Sequence, residues 1–228
     1  MAIYQELFYR PLFNIVVAIY NFIPGHDFGM AIIILTVLIR VIFLPLSIKT
    51  QRSQKALQEL NPKIKEIREK YKSDKVAQNK AIMELYKESK VNPLGGCLPL
   101  IIQLPILIAL YQAFIAGLNP ESLSLLYSFI KNPEVINKMF LGLIDITKSN
   151  ISLVLAAGVL QFLQAKQSAA NTSLAAGNEM AALNKQMLYF FPLFIIIIGW
   201  KLPAGLILYW IATTLFSIGE QTYIQKKK

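Results

Sequence analysis

Residues 28–48, FGMAIIILTVLIRVIFLPLSI, stay apolar for about twenty positions around one arginine. At about 1.5 Å of rise per residue, a helix of that length matches a hydrocarbon core about 30 Å thick. Arg40 lies roughly two thirds of the way along it. A central arginine costs about 2.5 to 3.5 kcal/mol on insertion scales, while each Ile, Leu, Val or Phe offsets about 0.3 to 0.6. Fourteen such residues surround Arg40, so the run still inserts. It does so only with the guanidinium turned toward water or a polar partner.

Four further apolar runs follow, at 93–118, 151–165, 187–200 and 202–219. The second contains Pro99, Gln103 and Pro105, and the last two are joined by little more than Lys201. The expectation is an all-α membrane protein with five transmembrane helices. At 55% hydrophobic and 16% charged residues, with a mean hydropathy of +0.48, the composition does not suit an ordinary soluble domain. Residues 187–200 and 151–165 look short for spans, which predicts local thinning of the bilayer beside them.

Charge placement sets the expected topology. Residues 49–92 carry twelve Lys/Arg against six acids, whereas residues 119–150 carry three of each. By the positive-inside rule 49–92 is cytoplasmic and 119–150 external, with the N-terminus outside and the basic tail 220–228 inside. Leu57, Leu60, Ile64, Ile67 and Tyr71 recur at helical spacing, and Ile82, Leu85 and Tyr86 repeat the pattern after a break where Ser73 or Asp74 can cap. The loop thus reads as a charged helical hairpin. Residues 166–186 form a second cytoplasmic loop, and within 1–27 the stretch 7–23 is either a sixth span or, the better fit for a run so short that holds Arg10 and Pro11, an interfacial amphipathic helix on the external side. The first thirty residues show no cleavable signal, so Met1 is expected to begin the mature chain.

Thr36, one turn before Arg40, together with Gln103 and Gln161, can line one hydrophilic groove; alternatively each is interhelical hydrogen-bond glue. Tyr209 and Trp210 belong either to the groove wall or to an aromatic belt. No acidic residue falls inside any of the five runs, so Arg40 is expected to lack an internal countercharge and to attract acidic segments of another chain. The lone His26 lies in an external loop, Cys97 is a small residue at a helix entry, and no Ser/His, paired-Asp, HExxH or Walker A arrangement occurs, so neither enzymatic catalysis nor a cofactor or metal is expected. The basic charges are mixed around helices, which describes a solvated face and gives no reason to expect DNA as a partner.

Three strings, LIRVIFLPLSIKTQRSQKALQELNPKIKEIREKYK at 38–72, NPLGGCLPLIIQLPILIALYQAF at 92–114 and LPAGLILYW at 202–210, together with the order of features, closely resemble the YidC/Oxa1/Alb3 membrane protein insertases over about residues 28–225. The resemblance implies five spans around a groove open to cytosol and lipid but closed outside, with Arg40 as its arginine and Thr36, Gln103, Tyr209 and Trp210 bordering it. It implies nascent membrane proteins as substrates in a bacterial plasma membrane, with the ribosome and the Sec translocon as candidate partners. The hairpin at 50–90 would contact substrate or partner. The chain departs from the family in lacking a large periplasmic domain and a long basic tail, which suggests a compact bacterial type and weakens ribosome docking through the tail. A small anion channel or transporter, or an assembly factor that inserts nothing, are the rival readings.

Overall fold

The computed structural model describes residues 4–91, 105–112, 120–170 and 178–226. A π-helical turn, Gln5–Tyr9, leads into α1 (Arg10–Phe22), where Pro11 occupies the first turn and its missing N–H leaves no bond unmade. Gly25 at φ +82° and His26 at +48° reverse the chain, a left-handed geometry that glycine adopts without penalty. Asp27 then caps α2 (Phe28–Ile42), its Oδ1 accepting from Met30 N at 2.9 Å.

The two helices pack through Phe13, Val16, Val17 and Tyr20 of α1 and Phe28, Ala31, Ile32 and Leu35 of α2, all buried. The apolar face of α1 is therefore divided. One stripe docks on the protein, while Ile15 and Phe22, with Leu7 and Phe8 of the preceding π-helical turn, stay exposed.

The run at 28–48 is not one straight helix. Helix α2 stops at Ile42, and α3 (Leu44–Glu59) departs at 60°. Pro45 has no N–H for the carbonyl of Val41 and its ring crowds that turn, so the ladder breaks at Phe43. Among the described residues no single helix is long and apolar enough to cross a membrane, and this bent pair is the one combination that is.

Pro62 stops α3 and opens α4 (Asn61–Lys70), so the charged segment carries a break that the hydrophobic spacing does not reveal. Helix α5 (Lys75–Glu88) starts at Asp74, whose Oδ1 accepts from Val76 N and Ala77 N, each at 3.0 Å. Gln78 Nε2 donates to Arg68 O at 3.0 Å and ties α5 to α4, above a small core at Leu60 and Ile64.

A helical stretch at 105–112 presents buried Ile106, Ala109 and Leu110 and receives a hydrogen bond from Tyr4 Oη at Pro105 O, 3.1 Å. After a 3-10 turn, Pro120–Leu125, the chain forms a short antiparallel ribbon, β1 (Met139–Phe140) with β2 (Ile144–Asp145), in which Phe140 pairs with Ile144. This ribbon departs from a purely helical fold.

Side chains of α1 and the cap of α2 hold this segment. Asn14, 1% exposed, donates to Leu125 O at 3.1 Å and accepts from Tyr127 N at 2.7 Å; Asn21 donates to Lys131 O; Tyr20 Oη accepts from Asn137 N; Asp27 Oδ2 accepts from Leu141 N. Asn14→Ala leaves the Tyr127 N–H and the Leu125 carbonyl without these partners. We expect a loss of about 1 to 3 kcal/mol, read as faster amide exchange at 125–131 with α4 and α5 unchanged.

Gly29 permits the ribbon's close approach to α2. A Cβ there would meet Phe140 Cδ2 at 2.5 Å and Phe140 Cβ at 2.9 Å, so more than the far end of a side chain must move. Gly29→Ala is expected to cost about 1 to 3 kcal/mol in an unfolding titration, despite the higher helix propensity of alanine.

Helices α6 (Ile151–Ala170), α7 (Asn178–Gly199) and α8 (Ala204–Lys226) pack around Val154, Ala157, Ile195 and Ile207, with α8 also lying on α2. Asn150 Oδ1 accepts from Leu153 N at the start of α6, and the start of α8 is bonded to the ribbon's exit through Ala204 N to Lys148 O at 2.8 Å and Gly205 N to Ile146 O at 3.0 Å. With 20 and 22 residues, α6 and α7 outrun the apolar stretches that suggested short spans. The stretches at 151–165 and 187–200 measure composition, and the helices continue into polar sequence, which removes helix length as a reason for bilayer thinning.

Candidate functional site

The candidate site is organised by α8, which presents different faces to α2 and to α6. Tyr209 and Trp210 are neighbours in sequence and so about 100° apart around the helix. Tyr209 is buried and lies within electrostatic reach of Arg40, while Trp210 Nε1 donates to Gln161 Oε1 of α6 at 3.1 Å. Gln161 Nε2 in turn donates to Gln164 Oε1 at 3.0 Å, and Phe191 of α7 lies against the Trp210 ring with centroids 6.4 Å apart.

The expected site residues therefore fall into two groups. Arg40 and Tyr209 meet where α2 faces α8, and Gln161 and Trp210 meet where α6 faces α8. Thr36 is buried in α2, but its Oγ1 donates to Ile32 O at 2.7 Å, so its one proton serves its own helix. Gln103 lies outside the described residues.

Arg40 itself is partly buried near the end of α2, just before the bend. The expectation that it lacks an internal countercharge is corrected by Glu220, a carboxylate of α8 that is buried at 6% exposure and interacts electrostatically with Arg40. Assigning Glu220 to the polar tail at 220–228 hid this, because α8 continues unbroken to Lys226. Eleven residues separate Tyr209 from Glu220, three helical turns and about 16 Å along the axis, so both share the face toward Arg40. That spacing was visible in the sequence. What concealed it was the placement of the helix end.

Around these polar contacts the outer surface is apolar. Val37, Leu38, Val41 and Ile42 of α2, Leu155, Val159 and Leu163 of α6, and Phe190, Leu193, Phe194 and Ile197 of α7 are all exposed. On α6 they recur every fourth residue, one continuous stripe. Contiguous apolar faces of this kind mark contact with lipid or with another apolar surface.

The sequence profile of the family described as 60Kd inner membrane protein matches residues 18–228. Similar curated proteins include one from Fusobacterium nucleatum, 38% identical over 201 residues that cover 88% of this chain and 87% of the relative. Others come from Geotalea daltonii, 33% identical over 221 residues, and Syntrophus aciditrophicus, 35% identical over 211 residues. Each is named membrane protein insertase YidC. This chain spans nearly the whole of the first but only 37% and 34% of the other two. The profile match over residues 18–228, with 38% identity to a relative covered along 87% of its length, establishes that the chain belongs to the YidC family of membrane protein insertases.

Proposed function

We propose that this chain integrates nascent membrane proteins into a bacterial plasma membrane by drawing a client's short acidic external tail toward Arg40 while the client's apolar segment passes into lipid. The observation that carries this reading is the partly buried guanidinium of Arg40 at the contact of α2 with α8, next to exposed apolar helix faces along which a client segment can leave. A positive charge in a low-dielectric setting attracts a carboxylate more strongly than one in water does. Partition of a sufficiently apolar segment into lipid is itself downhill, so no nucleotide is needed.

In this reading five spans enclose a groove: 28–48, 93–118, 151–165, 187–200 and 202–219. Beyond α3, the charged hairpin of α4 and α5 lies in the cytosol and offers the contact for a ribosome or a Sec translocon. The N-terminus and the 119–150 segment are outside, and the basic C-terminal end is inside.

Purified protein in liposomes, given a single-span client with a photoreactive group in its apolar segment and no nucleotide, tests the reading. Protease protection of the client together with a crosslink to α2 or α8 is the expected result. Crosslinks without protection make the chain an assembly factor, and anion flux without either makes it a channel.

A further inference from the structure

Between α1 and the segment 127–131, reaching Ile34 of α2, lies an apolar cavity of about 900 Å³. That is the upper part of the range for sites that hold small molecules, roughly 300 to 1,000 Å³. Ile15, Ile19, Phe22, Ile34 and Phe129 line it, and all of these but Ile19 are exposed, so the apolar wall is uncovered. The two asparagines in the wall turn their amides to the protein: Asn14 donates to Arg10 O and Leu125 O and accepts from Tyr127 N, and Asn21 donates to Lys131 O. With those donors spent, the cavity suits hydrocarbon better than water. Its one charged lining residue is Lys131, which is exposed and in no ion pair among the described residues. No carboxylate lines the cavity, so its charge complements an anion.

The bond from Asn21 holds Lys131 beside the chain reversal that precedes α2, whereas Ile34 lies six residues, about 9 Å, along α2 from its start. In the proposed topology the cavity therefore runs from a cation at the outer surface toward the hydrocarbon, the order of headgroup and chain in a lipid. Ile34 and Arg40 are about 120° apart around α2, so this cavity opens on a different face from the guanidinium. We propose that it is a binding site for a phospholipid with a net negative headgroup, one acyl chain lying against Ile15, Ile34 and the two phenyl rings while the headgroup phosphate meets the Lys131 ammonium. Covering the apolar wall supplies the affinity, and the lysine supplies the preference for negative charge. Because α1, α2 and 127–131 all contribute to the wall, the lipid clasps the three together and raises the melting temperature as it binds. The site is independent of client capture at Arg40.

The test titrates the whole chain in detergent with phosphatidylglycerol or phosphatidylcholine of identical acyl chains, reading melting temperature and lipid retained in native mass spectrometry. Wild type is expected to bind phosphatidylglycerol about fivefold more tightly, Lys131→Gln to lose that preference and Lys131→Arg to keep it. Ala18 is a small residue of the wall, and Ala18→Phe should fill the cavity and weaken both lipids at least about tenfold. Ile15→Trp, at an exposed position outside the core, should weaken both about threefold or more and serves where Ala18→Phe does not fold. A phosphatidylglycerol with a photoreactive acyl chain should crosslink to α1 or 127–131. Equal binding of the two lipids by wild type, or a preference that survives in Lys131→Gln, overturns the proposal. So do undiminished binding in the folded cavity-filling variants and crosslinks confined to other segments. A photoreactive amino acid in place of Ile19 that captures a client or a second copy of the chain in membranes, and no lipid, overturns it as well.

Discussion

Arg40→Ala is expected to slow insertion of a client with an acidic external tail at least about tenfold, whereas Arg40→Lys should lose only a few-fold. A hydrogen bond to a charged group contributes about 1.5 to 3 kcal/mol, and 1.4 kcal/mol is tenfold in binding. Lysine keeps the charge but not the planar fork that engages a carboxylate through two parallel bonds. A neutral tail makes little use of either, so its insertion should fall less than about threefold in Arg40→Ala. Initial rates of protease protection in liposomes supply the comparison. The alanine variant also removes a partly buried side chain, so rates must be compared at equal folded fraction, judged by melting in detergent. Because Arg40 is partly buried, the wild-type preference for acidic tails should persist at 0.5 M salt, where attraction between fully exposed charges is screened. Wild type, Arg40→Ala and Arg40→Lys behaving alike on the acidic client would leave the guanidinium without a part in capture.

The apolar runs and the lone arginine inside the first of them were legible because both depend on composition within one segment. So was the charged hairpin. Its seam through Leu60, Ile64 and Ile67 and the capping residue Asp74 are local signals, and α4 and α5 form as those signals direct. Helix ends were harder. Helix α6 continues past 165 and α8 past 219 because glutamine, lysine and glutamate are good helix formers, and an apolar window cannot see them. The bend at Phe43 was also under-read, since a proline inside a long apolar run is compatible with either a smooth span or a broken one.

Partners across the fold were the least legible. Asn14 and Asn21 of α1 hold residues 125–131, more than a hundred positions away. Nothing in the spacing of α1 says which carbonyls it will meet. Thr36 shares a helical face with Arg40, but its hydroxyl turns back to Ile32, a choice made by rotamer and burial. Glu220 shows the same limit in reverse. Its rotation on α8 was computable from the sequence, but that α8 would lie against α2 was not.

The largest effect on stability is expected at Phe13, far from the charged groups. Phe13 is 0% exposed, stacks on Tyr9 with ring centroids 5.9 Å apart, and fills the contact between α1 and α2. Phe13→Ala should cost about 3 to 5 kcal/mol in reversible unfolding from micelles, because a buried phenyl loses both its transfer energy and the atoms that packed on it. Phe13→Leu keeps most of the volume and should lose less than about 1.5 kcal/mol. Phe22, at the other end of α1, is 89% exposed, and Phe22→Ala should stay within about 0.5 kcal/mol. The contrast decides which face of α1 is held by protein. If Phe13→Ala and Phe22→Ala destabilise equally, α1 lies on the bilayer and not on α2. If the expected order holds, α1 fixes the N-terminal half of α2, and through α2 the position of Arg40. Phe13→Ala should then also lower insertion of the acidic client, with recovery in Phe13→Leu, because a guanidinium displaced by about 1 Å no longer meets the tail in its productive geometry.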